Sequence, residues 1–265
     1  MNVARKRSGF TLVELLVVIG IIGLLAALLT PVVMQSLTKA RNAAIKAEID
    51  MLHMAIMNYK NEYGSFPPCF DSLTLSGTGP VGRHITRTFP RCTSGSAASQ
   101  LVNLLNPVGG PAKNPTFIVP TNAISFWLSG YTADPLLPLS PGSRQKLFDF
   151  DVSRVDPVAG VYFPSGKPGS PYIYINRSEY GSSWPPAAFS YVAGGRSITV
   201  PANAYFAHRV PPPGSTNFAV AAQPAFNPDT FQILCAGRDE EFGNDDDLSN
   251  FWPGTRREYL DSLKD

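Results

Sequence analysis

From Leu15 to Met34 the chain runs 20 residues without a charge and with a single hydroxyl, Thr30. As a helix rising about 1.5 Å per residue, this stretch is roughly 30 Å long, the thickness of a bilayer's hydrocarbon core. A segment of that length and composition belongs in a membrane. Arg5, Lys6 and Arg7 precede it, and by the positive-inside tendency they keep the amino terminus in the cytoplasm and send the rest across. A secretory signal has a shorter apolar region, about 7 to 15 residues, followed by a small-residue cleavage site. Here the run is longer, and it carries Glu14 near its entrance, within Phe10-Thr11-Leu12-Val13-Glu14-Leu15-Leu16. An unpaired carboxylate at that depth costs about 2.5 kcal/mol or more, so an acid kept there points to a function.

Beyond the anchor the composition changes. Of 22 glycines and 25 prolines, only Gly9, Gly20, Gly23 and Pro31 fall before residue 63. The first part is helix-permissive, and the remainder is expected to consist of loops with short strands. At 265 residues and 44% apolar composition the chain is long enough for a real core. The net charge of +2 owes three bases to the first nine residues, which hold no acid, so the rest is near neutral and a nucleic-acid binder is not expected. Three cysteines and three histidines leave little for zinc or iron–sulfur centres.

Arg7-Ser8-Gly9-Phe10-Thr11-Leu12-Val13-Glu14-Leu15 resembles the class III signal of type IV pilins and type II secretion pseudopilins. The resemblance implies cleavage by a prepilin peptidase between Gly9 and Phe10, N-methylation of Phe10, and retention of the apolar segment on the mature protein. Physics agrees with that carry-over. Cleavage creates an ammonium at Phe10, and Glu14 of one subunit can pair with the ammonium of a neighbour, so both buried charges are neutralised only when subunits assemble in register. Gly20, Gly23 and Pro31 weaken the backbone ladder and also permit close helix packing.

Past Met34 the stripe Ile45, Ile49, Leu52, Ile56, Tyr59 and Tyr63 steps by three and four, the period of one helical face. Gly64 and Pro67-Pro68 supply the stop, so a helix is expected from about Thr11 to Tyr63. Lys46, Glu48, Asp50, His53, Lys60 and Glu62 lie largely off the stripe, and His53 reads as an ordinary surface or subunit-contact residue. Short helices are expected at Ser99 to Leu105 and Asn122 to Ser129. Pro171-Tyr172-Ile173-Tyr174 and Ile233-Leu234-Cys235 resemble the family's last strands, with more than fifty residues inserted between them. The expected fold is therefore α+β: a long N-terminal helix on a small antiparallel sheet, with large loop-rich insertions. Its parts are a leader peptide (1–9), a transmembrane or filament-core helix (10–35), an amphipathic helix (36–66) and a loop-rich head with a C-terminal acidic loop (67–265).

That loop places Asp239, Glu240, Glu241, Asp245, Asp246 and Asp247 within nine positions. Such charges repel unless a cation intervenes or water solvates them fully. Calcium, with its 6 to 8 oxygen ligands, suits carboxylates and carbonyls on a glycine-containing loop. The run Ala236-Gly237-Arg238-Asp239, followed by Gly243 and Asp245 to Leu248, is similar to the calcium loop of the major type II secretion pseudopilin. The similarity implies Asp239 and Asp246 as ligands, Asp245 and Asp247 as near alternatives, and the Ala236 carbonyl as a donor. Glu240 stands where that family has glycine. A solvated or partner-binding acidic surface is the other reading.

An extracytoplasmic location would permit a disulfide between Cys69 and Cys92, leaving Cys235 as a buried thiol. Arg83, His84, Arg87 and Arg91 read as a solvated basic loop, without the aromatic platform of a nucleic-acid surface. No G-x-S-x-G, H-E-x-x-H or C-x-x-C motif occurs, and the single G-x-G-x-x-G, at Gly77, Gly79 and Gly82, holds Pro80 and reads as a flexible loop. An enzyme is not expected. The sequence points to a pseudopilin of the inner membrane, single-pass with a periplasmic head, processed by prepilin peptidase. It would join an inner-membrane assembly platform and polymerise with itself or with other pseudopilins into a filament. A type IV pilus subunit is the alternative, and a signal-anchored binding protein that never polymerises is the third reading.

Overall fold

The computed structural model describes residues 11–71, 79–105, 118–166, 170–180, 189–193, 196–200, 208–211 and 223–264. Gly9 and Phe10, the expected cleavage pair, and Gly77 lie outside them. The first helix, α1, covers Leu12–Tyr63, within a residue of the expected span. It ends because Gly64 turns the chain at φ +79°, a conformation glycine adopts without cost, with its N–H on the Lys60 carbonyl at 2.8 Å. Pro31 inside the helix removes one donor. One turn back, the Thr30 hydroxyl bonds the Ala26 carbonyl at 2.7 Å.

Two compact units share the chain, 1–41 and 42–265. In the first, every large apolar side chain described from Leu12 to Met34 is exposed, and α1 is long and apolar enough to cross a membrane. The second holds the core. There α1 buries Ile45, Ile49, Leu52, Ile56 and Tyr59, five of the six stripe residues, while Tyr63 is half-buried.

Around this face stand α2 (Pro80–Thr88), α3 (Ser94–Leu105) and α4 (Ala123–Leu128). Strand β1 (Ile173–Asn176), the hairpin strands β2 (Phe189–Ala193) and β3 (Arg196–Val200), and strands β4 (Phe231–Cys235) and β5 (Leu248–Ser249) follow, and α5 (Arg256–Ser262) closes the described chain. Strands β1, β4 and β5 form one antiparallel sheet in the order β1-β4-β5, with Ile173 opposite Leu234 and Leu234 opposite Ser249. Strands β2 and β3 form a separate antiparallel pair. The α+β architecture is the one expected, and the two family-like strands pair across their long insertion. Every residue of β1 and β4 is buried. Even Gln232 is: its amide accepts from the His208 N–H at 2.7 Å and donates to the His208 carbonyl at 2.8 Å, standing in for a strand partner.

Several expectations need correction. Residues from Pro80 onward form α2, because a proline at the first helical position gives up an N–H that would be unbonded anyway and brings its φ preset. His84 leaves the basic face and is buried inside, its Nε2 2.8 Å from the Tyr59 hydroxyl. Helix α3 begins five residues earlier than expected, at Ser94. His53 is half-buried, its ring 4.9 Å from that of Phe231 and its Nδ1 3.0 Å from the Asn250 amide nitrogen. Cys69 and Cys92 are not bridged. Both are buried, Cys69 taking the Asn176 N–H of β1 at 3.4 Å and Cys92 lying 3.6 Å from the Gln100 amide of α3. Cys235 is buried in β4, as expected.

Candidate functional site

At the start of α1, Glu14 closes a reciprocal cap. Its Oε2 accepts the Thr11 N–H and the Thr11 hydroxyl, each at 2.8 Å, and the Glu14 N–H donates to Thr11 Oγ1 at 3.2 Å. The carboxylate is thus held at the first turn, four positions from Phe10. Behind it stretches an exposed apolar helix.

The acidic loop lies between β4 and β5. Gly237 is required there: a Cβ on it would collide with the Asp246 backbone and carboxyl group. Asp246 accepts the N–H groups of Arg238 and Asp239. Asp239 accepts the Glu241 N–H at 2.9 Å and the Asn244 amide at 2.6 Å. Asp245 faces Arg257 at 3.5 Å. Asp247 is buried, with Oδ2 on the Gly243 N–H at 2.7 Å and Oδ1 without a hydrogen-bond partner. Burial pushes its carboxyl up to about 7, against the pull of the Gly243 N–H and the Arg256 charge. The Ala236 carbonyl, an expected donor, accepts the Cys235 thiol at 3.2 Å. Among the described residues no three His, Cys, Asp or Glu side chains form a group able to hold a metal ion. The carboxylates are taken up by backbone N–H groups, the Asn244 amide and Arg257, so the donors as arranged do not fit a calcium cage. Glu240, where the resemblance expects glycine, sits at φ +66°, the left-handed region that glycine favours.

One group escaped the sequence reading. Glu48 is 9% exposed on the buried face of α1. Both terminal nitrogens of Arg154 hold it, Nη1 at 2.9 Å from Oε2, and the hydroxyls of Tyr162 and Tyr172 donate at 2.6 and 2.5 Å. Its spacing of three from Ile45 and four to Leu52 was the available signal.

Together the described residues hold one helix long and apolar enough to cross a membrane, with a capping carboxylate at its entrance, followed by an α+β unit. The pattern described as the prokaryotic N-terminal methylation motif matches residues 4–30. Over 78 residues the chain is 36% identical to the type II secretion system core protein G of Pseudomonas aeruginosa, covering 29% of this chain and 55% of that protein. To the protein of the same name from Aeromonas hydrophila it is 40% identical over 85 residues, 32% of this chain and 59% of the relative. The corresponding protein of Klebsiella pneumoniae is 30% identical over 86 residues, 32% and 61% respectively. The chain thus spans little more than half the length of these relatives. No solved structure matches. The resemblance to type II secretion pseudopilins read from the N-terminal residues is borne out by these matches.

Proposed function

We propose that this chain is a structural subunit of a type II secretion pseudopilus, anchored in the inner membrane with residues 42–265 in the periplasm. The observation that carries the reading is the exposed apolar helix with Glu14 held at its first turn, inside a methylation motif. Prepilin peptidase cuts between Gly9 and Phe10 and methylates Phe10. The ammonium so formed pairs with Glu14 of a neighbouring subunit, and the apolar helices pack as the filament core through an inner-membrane assembly platform. Its role is mechanical. The similarity to type II secretion core proteins from three bacteria supports this over a pilus subunit.

Intact-mass and amino-terminal analysis after co-expression with a prepilin peptidase tests the processing step. The mature chain should begin at Phe10 with one added methyl group, and Gly9→Val should leave the leader attached. An untouched leader in the wild type would sink the reading.

A further inference from the structure

The disagreement between the acidic loop and a calcium cage has a structural counterpart in α5. Thr255 caps this helix through a reciprocal box with Glu258, its hydroxyl accepting the Glu258 N–H while the Glu258 carboxylate accepts the Thr255 N–H at 2.9 Å. The cap fixes the two residues that follow. The Arg256 N–H donates to the Asp247 carbonyl and the Arg257 N–H to the Asp245 carbonyl, each at 2.8 Å. The Arg256 guanidinium donates to the Gly243 carbonyl in mid-loop. Beside it is a shallow pocket lined by Asp239, Gly243, Asn244, Asp245, Asp246 and Arg256. On the outer side, the Arg257 guanidinium pairs with Asp245.

We propose that the acidic loop is closed by an internal cation, the Arg256 guanidinium carried on α5, in place of the divalent ion that the resemblance of this loop implies. A guanidinium meets the two demands a bound cation would: it places positive charge beside Asp247, and it engages the lone pair of a loop carbonyl, by N–H donation where a metal would coordinate. It does so at fixed stoichiometry, because the residue is part of the chain. Folding of the loop is then independent of the calcium concentration outside the cytoplasm. The inference does not depend on which filament the chain serves.

Thermal unfolding of the full chain in detergent micelles tests it, in chelator, in millimolar calcium and in millimolar magnesium. The wild type is expected to unfold at one temperature in all three. Arg256→Gln should lower that temperature by roughly 5 °C in chelator, the size expected for losing a charged hydrogen bond in a domain of this length. Combined with Asp247→Asn, its effect should shrink, since the two groups act on each other. A calcium-specific rise in the wild type would overturn the proposal and return the loop to the ion. Full additivity of the two substitutions would also overturn it. The wild-type measurement needs no variant to fold, and loss of prepilin processing would leave its outcome unchanged.

Discussion

Glu48 keeps its charge where little water reaches it. Burial pushes its carboxyl up, but the Arg154 hydrogen bonds, the two tyrosine hydroxyls and the Arg154 charge together hold it below its ordinary value. Removing the cation strands the anion, and breaking such a pair from one side typically costs about 3–5 kcal/mol. Arg154→Met should therefore lower unfolding free energy by about that much in a denaturant titration. Glu48→Gln, which leaves Arg154 its second carboxylate, Asp151 at 3.4 Å, should cost less. The histidines set the acid limit. Burial, and then the charges of Arg87 and Arg256 respectively, press His84 and His208 down to about 4. The unfolded chain takes up these protons near pH 6.5 and the folded one does not. Their stability is thus complete above 6.5 and drains away as pH falls toward 4, by roughly 2–3 kcal/mol each at pH 4.5. Asp247, held up at about 7, works the other way and offsets part of this loss on acidification. Unfolding temperatures measured from pH 7 to 4.5 should still fall, because two histidines oppose one carboxyl, and His84→Gln should flatten that slope, so an unchanged slope would contradict the assignment. At Glu240, glycine would relieve a left-handed backbone and should add about 0.5–1 kcal/mol.

Among the elements, α1 was legible because its burial is periodic: Ile45, Ile49, Leu52, Ile56 and Tyr59 announce a face without reference to anything distant. Strands β1 and β4 were legible through their family-like residues, though their register, Ile173 opposite Leu234, follows from contacts no local pattern encodes. Helix α2 was missed because glycine and proline read as a loop, while its buried Val81, His84 and Ile85 hold it against the core. The partner of Glu48 lies 106 residues away, and the convergence of Arg256 on the acidic loop depends on how α5 is capped. Neither distance is written in the sequence. The same logic predicts the weight of Gln232, whose side chain does the work of a backbone. Gln232→Leu should leave the His208 N–H and carbonyl and the Phe226 carbonyl without this partner, costing about 2–3 kcal/mol. Hydrogen exchange at the His208 amide should report the loss first.

At the scale of the whole molecule, the anchor and the sheet carry separable duties. Glu14→Ala should leave membrane insertion and cleavage intact while abolishing entry into filaments, read by shearing and sedimentation. Normal incorporation would show that the carboxylate merely caps α1. The sheet bears on a different matter. Strands β1 and β4 are antiparallel neighbours although Asn176 and Phe231, opposite each other, are 55 positions apart in sequence, and the closure entropy of such an excursion grows only by about 0.6 kcal/mol per doubling of length. Between those two strands the chain therefore accepts changes of length at small entropic cost, and on the proposed reading an epitope or a reporter grafted there would be displayed once per subunit.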